Sequence, residues 1–144
     1  MKRPFAAPLM PTCAWLAAFA ALLAAGCGGH PVSPAPPAAA QTSQGLSATL
    51  TTTPAPPHTG DDTLVFTLSD AATHAPVGDA NVSAVAQMLS PRLPGSAVTG
   101  RAQGNGVYQI PMRLSIATRY SVQVQVQRIA HPPATFTFPL EARQ

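Results

Sequence analysis

Residues 120–127 read Tyr-Ser-Val-Gln-Val-Gln-Val-Gln, and this stretch decides the fold. Apolar side chains recur at every second position over all eight residues. That is the period of a β-strand with one buried and one hydrated face, and the glutamine amides supply the hydrated face. Because a helix would scatter these apolar residues around its circumference, the stretch predicts a half-buried strand.

The same alternation recurs on both sides of this strand. The other runs are 46–51, 64–69, 82–88, a weaker one in 97–102, 107–112 and 135–140. Turns rich in glycine and proline separate them, and Gly104-Asn105-Gly106 tolerates the positive φ of a tight hairpin. About seven short strands without a helical period between them predict an all-β fold, an immunoglobulin-like β-sandwich.

Tyr120 lies near the start of the penultimate predicted strand. In immunoglobulin-like sandwiches, a tyrosine near this place can bond back to the preceding backbone as a corner tyrosine. A plain core aromatic fits the same position, so the sequence leaves both interpretations open.

Residues 1–26 have the features of a secretory signal peptide. Lys2 and Arg3 give a positive start, and the apolar stretch 13–25 follows. This stretch is shorter than the roughly 20 apolar residues of a transmembrane helix. We therefore predict a signal-peptide helix over residues 1–26.

The end of that segment, Leu22-Leu23-Ala24-Ala25-Gly26-Cys27, resembles the lipobox of bacterial lipoproteins. The resemblance implies a diacylglycerol thioether on Cys27, cleavage after Gly26, and a fatty acyl chain such as palmitate on the new amino terminus. Ala24 stands where the pattern prefers leucine. The alternative is ordinary signal cleavage with Cys27 as a bystander. Gly28, rather than aspartate, implies sorting to the periplasmic face of the outer membrane if the bacterium has two membranes.

Residues 27–45 predict a disordered linker behind the lipidated cysteine. They are rich in proline, alanine, serine and glutamine and show no apolar period, so they cannot bury a core. We interpret His30 as a solvated linker residue rather than a ligand. The predicted β-sandwich domain then occupies residues 46–144.

Charge and cysteine content exclude several classes of function. Only 9% of the residues are charged, and the chain after the leader has six arginines against five acidic residues. Nucleic-acid binding needs a clustered basic field, whereas these arginines are dispersed along the sequence. Cys13 would be lost with the leader and Cys27 acylated, so no cysteine would remain for a disulfide, a metal site or a nucleophile.

Several short motifs follow one another in an order that resembles a known family. They are Leu68-Ser69-Asp70, Pro76-Val77-Gly78-Asp79-Ala80-Asn81-Val82, Met88, Gly104-Asn105-Gly106-Val107-Tyr108, Met112, the valine-rich strand and Ala134-Thr135-Phe136-Thr137-Phe138. Over about residues 46–142 this order is similar to the YtkA-like family, which is related to FixH-like domains. The resemblance implies a β-sandwich and suggests handling of a redox metal. In this chain the family's methionine-rich segment is reduced to Met88, and Tyr120 stands where the family has tryptophan.

The sequence shows no catalytic constellation, so we expect a protein that is not an enzyme and has no cofactor. No serine stands in a Gly-x-Ser-x-Gly motif. The adjacent Asp61 and Asp62 precede a predicted strand, where acids are commonly solvated. Calcium binding by Asp61, Asp62, Asp70 and Asp79 is conceivable, but their spacing is not that of an EF-hand.

A copper site is the metal site that the sequence best allows, because thioethers select Cu(I) and imidazole suits copper and zinc. The candidates are His58, His74, His131, Met88 and Met112. We interpret the three histidines as exposed loop residues and the two methionines as core fillers, and assign no metal ligand. Should a site exist, Met88 with His58 or His74 is the first place to look.

Together these observations predict a membrane-anchored envelope lipoprotein whose β-sandwich is a non-enzymatic binding or adaptor module. Its expected partners are membrane lipid, through the acylated Cys27, and an envelope protein. The alternative is a periplasmic copper-handling domain linked to metal efflux or oxidase maturation.

Overall fold

The computed structural model describes residues 39–144. The predicted signal peptide, Cys27 and His30 lie outside this range. The described residues form strands, turns and loops, and they include no helix that is long and apolar enough to cross a membrane.

Ten β-strands make up the described part of the chain. They are β1 (Gln41–Ser43), β2 (Leu46–Thr53), β3 (Gly60–Asp70), β4 (Asn81–Leu89), β5 (Arg92–Leu93), β6 (Ala97–Thr99), β7 (Arg101–Gly104), β8 (Val107–Leu114), β9 (Arg119–Gln127) and β10 (Ala134–Glu141).

The strands form two antiparallel sheets, which confirms the predicted all-β sandwich. The first sheet has the order β1-β2-β3-β8-β7, and the second has the order β10-β9-β4-β5, with β6 also paired to β4. The predicted strand over 120–127 is β9, which lies between β4 and β10. Its valines 122, 124 and 126 are at most 1% exposed, because every second side chain points between the sheets.

Aromatic rings fill the centre of the core. Phe66 from the first sheet packs against Tyr108 of its own sheet and against Phe136 and Phe138 of the second. The ring centroids are 5.8 to 6.4 Å apart, within the range of favourable tilted and edge-to-face pairs. This cluster joins the two layers.

The connections of the sandwich gather at two opposite ends. One, which we call the rim end, holds loops 54–59, 90–91, 94–96 and 115–118 and the last residues, 142–144; backbone hydrogen bonds from Ala142 to Thr118 and from Arg143 to Pro57 join them. The other, the far end, holds loops 44–45, 71–80, 105–106 and 128–133. There Ala71 bonds to Gly45, and Leu68 bonds to Gly106.

The weak strand predicted over 97–102 is two strands that belong to different sheets. β6 pairs with β4, and β7 pairs with β8. The chain changes sheet at Gly100, whose backbone N–H donates to the carbonyl of Val82 at 2.8 Å. A strand of two to four residues is too short to show an alternating pattern, so the sequence predicts about seven strands where the structure has ten.

The folded domain begins before Leu46, within the predicted linker. Gln41–Ser43 pair with β2 as β1. The Gln41 side-chain amide also bonds across to the second sheet: its Oε1 accepts from the Thr137 backbone N–H at 3.0 Å, and its Nε2 donates to the Thr137 carbonyl. Gln41 therefore occupies backbone groups on the edge strand β10, where unpaired groups would otherwise invite another strand.

Candidate functional site

Exposed apolar side chains at the rim end form the candidate functional site. Leu89, Leu93 and Ile116 are 47%, 49% and 45% exposed. Leu89 and Leu93 lie in the hairpin of β4 and β5, where Leu89 pairs with Arg92 and Met88 pairs with Leu93. We call the three apolar residues, together with Arg92, Arg113, Arg119 and Arg143, the rim.

Three adjoining open hollows surround Leu89 and Leu93. The first, of about 650 Å³, is lined by Leu89, Arg119, Glu141 and Arg143 among others. The second, of about 400 Å³, shares Leu89 with the first and adds Arg92 and Leu93. The third, of about 300 Å³, lies between the sheets, and Met88, Leu93, Met112 and Arg113 line part of it. The hollows form a continuous, shallow surface rather than a deep cleft.

Four of the six arginines that are dispersed in the sequence lie at the rim end. All four rim arginines are exposed, and each lines one of the three hollows. Arg113 Nη1 lies 3.6 Å from Asp61 Oδ1, but both side chains are largely exposed, so the pair is weak. Antiparallel strands bring every second chain reversal to one end, and these arginines stand next to such reversals.

Tyr120 fixes the loop that carries Ile116. Its hydroxyl donates to the Ile116 carbonyl at 2.9 Å and accepts from the Ile116 backbone N–H at 3.3 Å. The ring is also buried, at 4% exposure. Of the two interpretations that the sequence left open, the structure thus shows the corner tyrosine, and shows it within the core.

The adjacent aspartates correct the expectation of two solvated turn acids. Asp61 is exposed, but Asp62 points inward and is only 5% exposed. Neighbouring residues of a strand point to opposite faces, so these carboxylates do not converge on one substrate. Asp62 Oδ2 accepts from the His58 backbone N–H at 3.0 Å, so this carboxylate holds loop 54–59. The sequence signal for an inward Asp62 is its alternation with Leu64 and Phe66.

The candidate metal ligands divide between the two ends. His58, Met88 and Met112 lie towards the rim end, whereas His74 and His131 stand in exposed loops at the far end. The strand from Asn81 to Met88 spans about 23 Å at roughly 3.3 Å per residue. Met88 and His74 therefore do not share a site, which corrects one of the two predicted pairs. His58 is half-buried rather than exposed.

The structure nevertheless brings two predicted candidates together. Met88 from the second sheet and Met112 from the first line the same hollow. Met112 is 7% exposed and Met88 is half-buried against the core, in keeping with their interpretation as core fillers. Among residues 39–144, no three histidine, cysteine, aspartate or glutamate side chains are grouped so as to hold a metal ion.

The four aspartates considered for calcium are also divided. Asp61 and Asp62 lie towards the rim end, whereas Asp70 precedes loop 71–80 and Asp79 lies in it, at the far end. Asp70 Oδ1 accepts hydrogen bonds from the backbone N–H groups of Thr73 and Ala72 and from the Thr73 hydroxyl, at 2.8 to 3.0 Å. These donors, Thr73 first, lower the pKa of Asp70 below its usual value. Asp70 therefore shapes a turn.

A family model described as YtkA-like matches residues 40–125. The match starts next to β1 rather than at Leu46 and ends within β9, short of the predicted limit at residue 142. A search of curated proteins gave no match.

Two solved structures share the fold at low sequence identity. One is a DUF4426 family protein from Pseudomonas aeruginosa PAO1, with 13% identity and a TM-score of 0.52 over 73% of this chain and 96% of that one. The other is FetP of uropathogenic E. coli strain F11, expressed recombinantly in the periplasm of E. coli, with 9% identity and a TM-score of 0.55 over 76% of this chain and 95% of that one.

Proposed function

The chain belongs to the YtkA-like family, and from this premise we propose that it is a membrane-anchored lipoprotein of the cell envelope. Its β-sandwich binds a partner surface through the rim and performs no covalent chemistry. The lipobox-like sequence ending at Cys27 supports the anchor, and the recombinant periplasmic expression of FetP, a protein of the same fold, agrees with an envelope location.

The rim is the observation that carries this proposal. Three large apolar side chains, Leu89, Leu93 and Ile116, stand about half exposed beside four arginines. Interface residues are enriched in arginine and large apolar groups, whereas active sites are usually concave and hold convergent polar groups. The hollows here are open. The buried carboxylate towards this end, Asp62, accepts a hydrogen bond from the His58 backbone N–H. This arrangement favours binding over catalysis.

Site-specific photo-crosslinking in cells tests the binding surface. A photoreactive amino acid at position 93 is compared with the same residue at position 129, because Ile129 is 93% exposed and stands at the far end. We expect adducts with an envelope component, lipid or protein, from position 93 and none from position 129. Equal adduct yields from both positions would refute a specific role for the rim.

Turnover measurements test the absence of chemistry. The purified mature protein is assayed against ester, phosphoester and glycoside substrates and for redox cycling, with the denatured protein as the control. We expect native and denatured samples to give equal rates. A reproducible excess in the native sample would overturn the non-enzymatic assignment.

Copper handling is the second candidate, favoured by the meeting of Met88 and Met112 in one hollow. Two thioethers form a soft donor set that suits Cu(I). Titration with Cu(I) of the wild type, of Met88→Leu and of His74→Ala tests this candidate. It predicts sub-micromolar binding that Met88→Leu weakens and His74→Ala leaves unchanged, because His74 lies at the far end. Binding that is absent, or equal in all three proteins, excludes it.

A further inference from the structure

We propose that the partner of the rim is the anionic headgroup surface of the membrane to which the chain is anchored. On this proposal, which rests on the proposed function, the sandwich docks onto the bilayer by its rim end. The far end, with the 71–80 and 128–133 loops, then faces away from the membrane.

The three exposed apolar side chains of the rim, which we call its tips, stand on two separate segments of the chain. Leu89 and Leu93 stand on the two arms of the β4–β5 hairpin, and Ile116 stands on the loop between β8 and β9. Apolar side chains in this position can enter the boundary between headgroups and acyl chains while the strands behind them stay in water. Tyr120 holds the Ile116 backbone through two hydrogen bonds, so this tip is presented by an ordered loop.

The charged part of the rim matches phosphate. Arg92, Arg113, Arg119 and Arg143 line the hollows that Leu89 and Leu93 share with them. Guanidinium groups bind phosphate oxygens bidentately, and basic residues close to an anionic bilayer strengthen its binding.

The two ends of the sandwich differ in charge balance. The rim end has four arginines against Asp61, Asp62 and Glu141, whereas the far side has Arg101 and Arg128 against Asp70 and Asp79. The rim end is therefore net positive, whereas the charges of the far side balance. An anionic bilayer would therefore orient the molecule with its rim end towards the bilayer surface.

The chain enters the first sheet from the side of the rim end. β1 is antiparallel to β2 with Gln41 opposite Ala48, so β1 runs from the rim side towards the far end. Only eleven residues, 28–38, lie between Cys27 and Ala39, and such a segment reaches at most about 40 Å. An anchor at Cys27 would therefore hold the domain, including its rim, near the bilayer at a high effective concentration, which makes weak contacts sufficient.

The tryptophan and cysteine content of the chain allows a fluorescence test of this proposal. Its single tryptophan, Trp15, lies in the leader, and Cys27 is the only cysteine that follows the leader. The buried core of residues 39–144 lies within 46–142, so a chain of residues 27–144 contains every strand that the structure describes. In this leaderless chain Leu93→Trp is a unique rim reporter, Ile129→Trp is the matched far-end reporter, and each is coupled through the Cys27 thiol to a maleimide lipid in vesicles.

On vesicles with phosphatidylglycerol, the Leu93→Trp emission should shift to shorter wavelength and be quenched by brominated acyl chains. Ile129→Trp should do neither. Vesicles of phosphatidylcholine alone, or the added changes Arg92→Gln and Arg119→Gln, should reduce the shift. Unfolding curves of all variants confirm that the fold is retained.

Equal spectra from the two reporters on both lipids would overturn the proposal. A rim shift that requires an added envelope protein would also overturn it and assign the rim to a protein partner. Because the coupling is chemical, the result is independent of whether cells acylate Cys27, so failure of the anchor and failure of the docking surface are told apart.

Discussion

Two buried tyrosine hydroxyls perform the same task at opposite ends of the molecule. At the far end, Tyr108 Oη donates to the Val77 carbonyl at 2.9 Å and accepts from the Ala80 backbone N–H at 3.1 Å. At the rim end, Tyr120 bonds to both backbone groups of Ile116. Each hydroxyl satisfies a backbone donor and a backbone acceptor of a loop, which lets the loop lie against the core.

Replacing each tyrosine by phenylalanine should show how much its hydroxyl contributes to the free energy of unfolding. Tyr108→Phe leaves a carbonyl and an N–H without a partner beside a ring that is 1% exposed, and should cost about 1–3 kcal/mol of unfolding free energy. Tyr120→Phe, whose hydrogen bonds are only partly buried, should cost about 0.5–1.5 kcal/mol. Urea unfolding measures both, and a larger loss for Tyr120→Phe would contradict this ranking.

Asp70 makes part of the stability of the folded protein depend on pH. Its pKa is lowered by hydrogen bonds from Thr73 and Ala72, so the unfolded chain binds the proton more tightly than the folded one. The stabilising contribution is complete above the unfolded value of about 3.9 and is lost as the pH falls through the lower folded value. Asp70→Asn keeps an acceptor oxygen without the titration.

The Asp70→Asn variant should therefore show a shallower loss of stability between about pH 4 and pH 2 than the wild type. Urea midpoints across this range measure the difference, and NMR of the Asp70 carboxyl carbon gives the pKa directly. A carboxyl that titrates at or above 3.9 in the folded protein would contradict the assigned hydrogen bonds.

At the scale of elements, the sequence predicts long strands well and short ones poorly. The alternation in 120–127 identifies β9 because eight residues show four full periods. β1 and β5 have three and two residues, so their positions depend on neighbours such as β2 and β4 rather than on a pattern of their own. Because β1 is too short to show an alternating pattern, the sequence places the start of the domain at residue 46 rather than at β1.

In the Gly104–Gly106 turn, one added methyl group would meet both a left-handed backbone and close packing. Gly106 has φ +72°, and a Cβ there would collide with the Leu68 carbonyl oxygen and lie 3.0 Å from the Val77 nitrogen. Gly45 has nearly the same φ, +74°, with no atom within 4 Å of its added Cβ. This pair of glycines separates the cost of backbone conformation from that of close packing.

Gly45→Ala should cost about 1–2 kcal/mol, the penalty for a left-handed alanine. Gly106→Ala carries the same penalty and must also displace backbone, which adds about 1–3 kcal/mol. Thermal or urea unfolding of the two variants gives the comparison. Equal losses would show that the turn yields freely and that the close approach to Leu68 contributes nothing.

At the scale of the whole molecule, the fold gathers four arginines that are dispersed in the sequence at one end of the sandwich. The sequence predicts which residues face the core, because burial in a sandwich follows a period of two. It does not predict that Arg92 and Arg143 both lie near Leu89, since that depends on which chain reversals share an end. The candidate ligands show the same limit: Met88 and Met112 meet, but His74 lies elsewhere.

The anchor is the central claim, because the location, the orientation of the rim and the absence of free thiols in the mature chain all depend on Cys27. Mass spectrometry of the amino-terminal peptide of the protein purified from its own membranes tests it most directly. The account predicts a chain that begins at Cys27 with a diacylglycerol thioether and an acylated amino group. An unmodified Cys27 thiol, or an amino terminus at another residue, would contradict it.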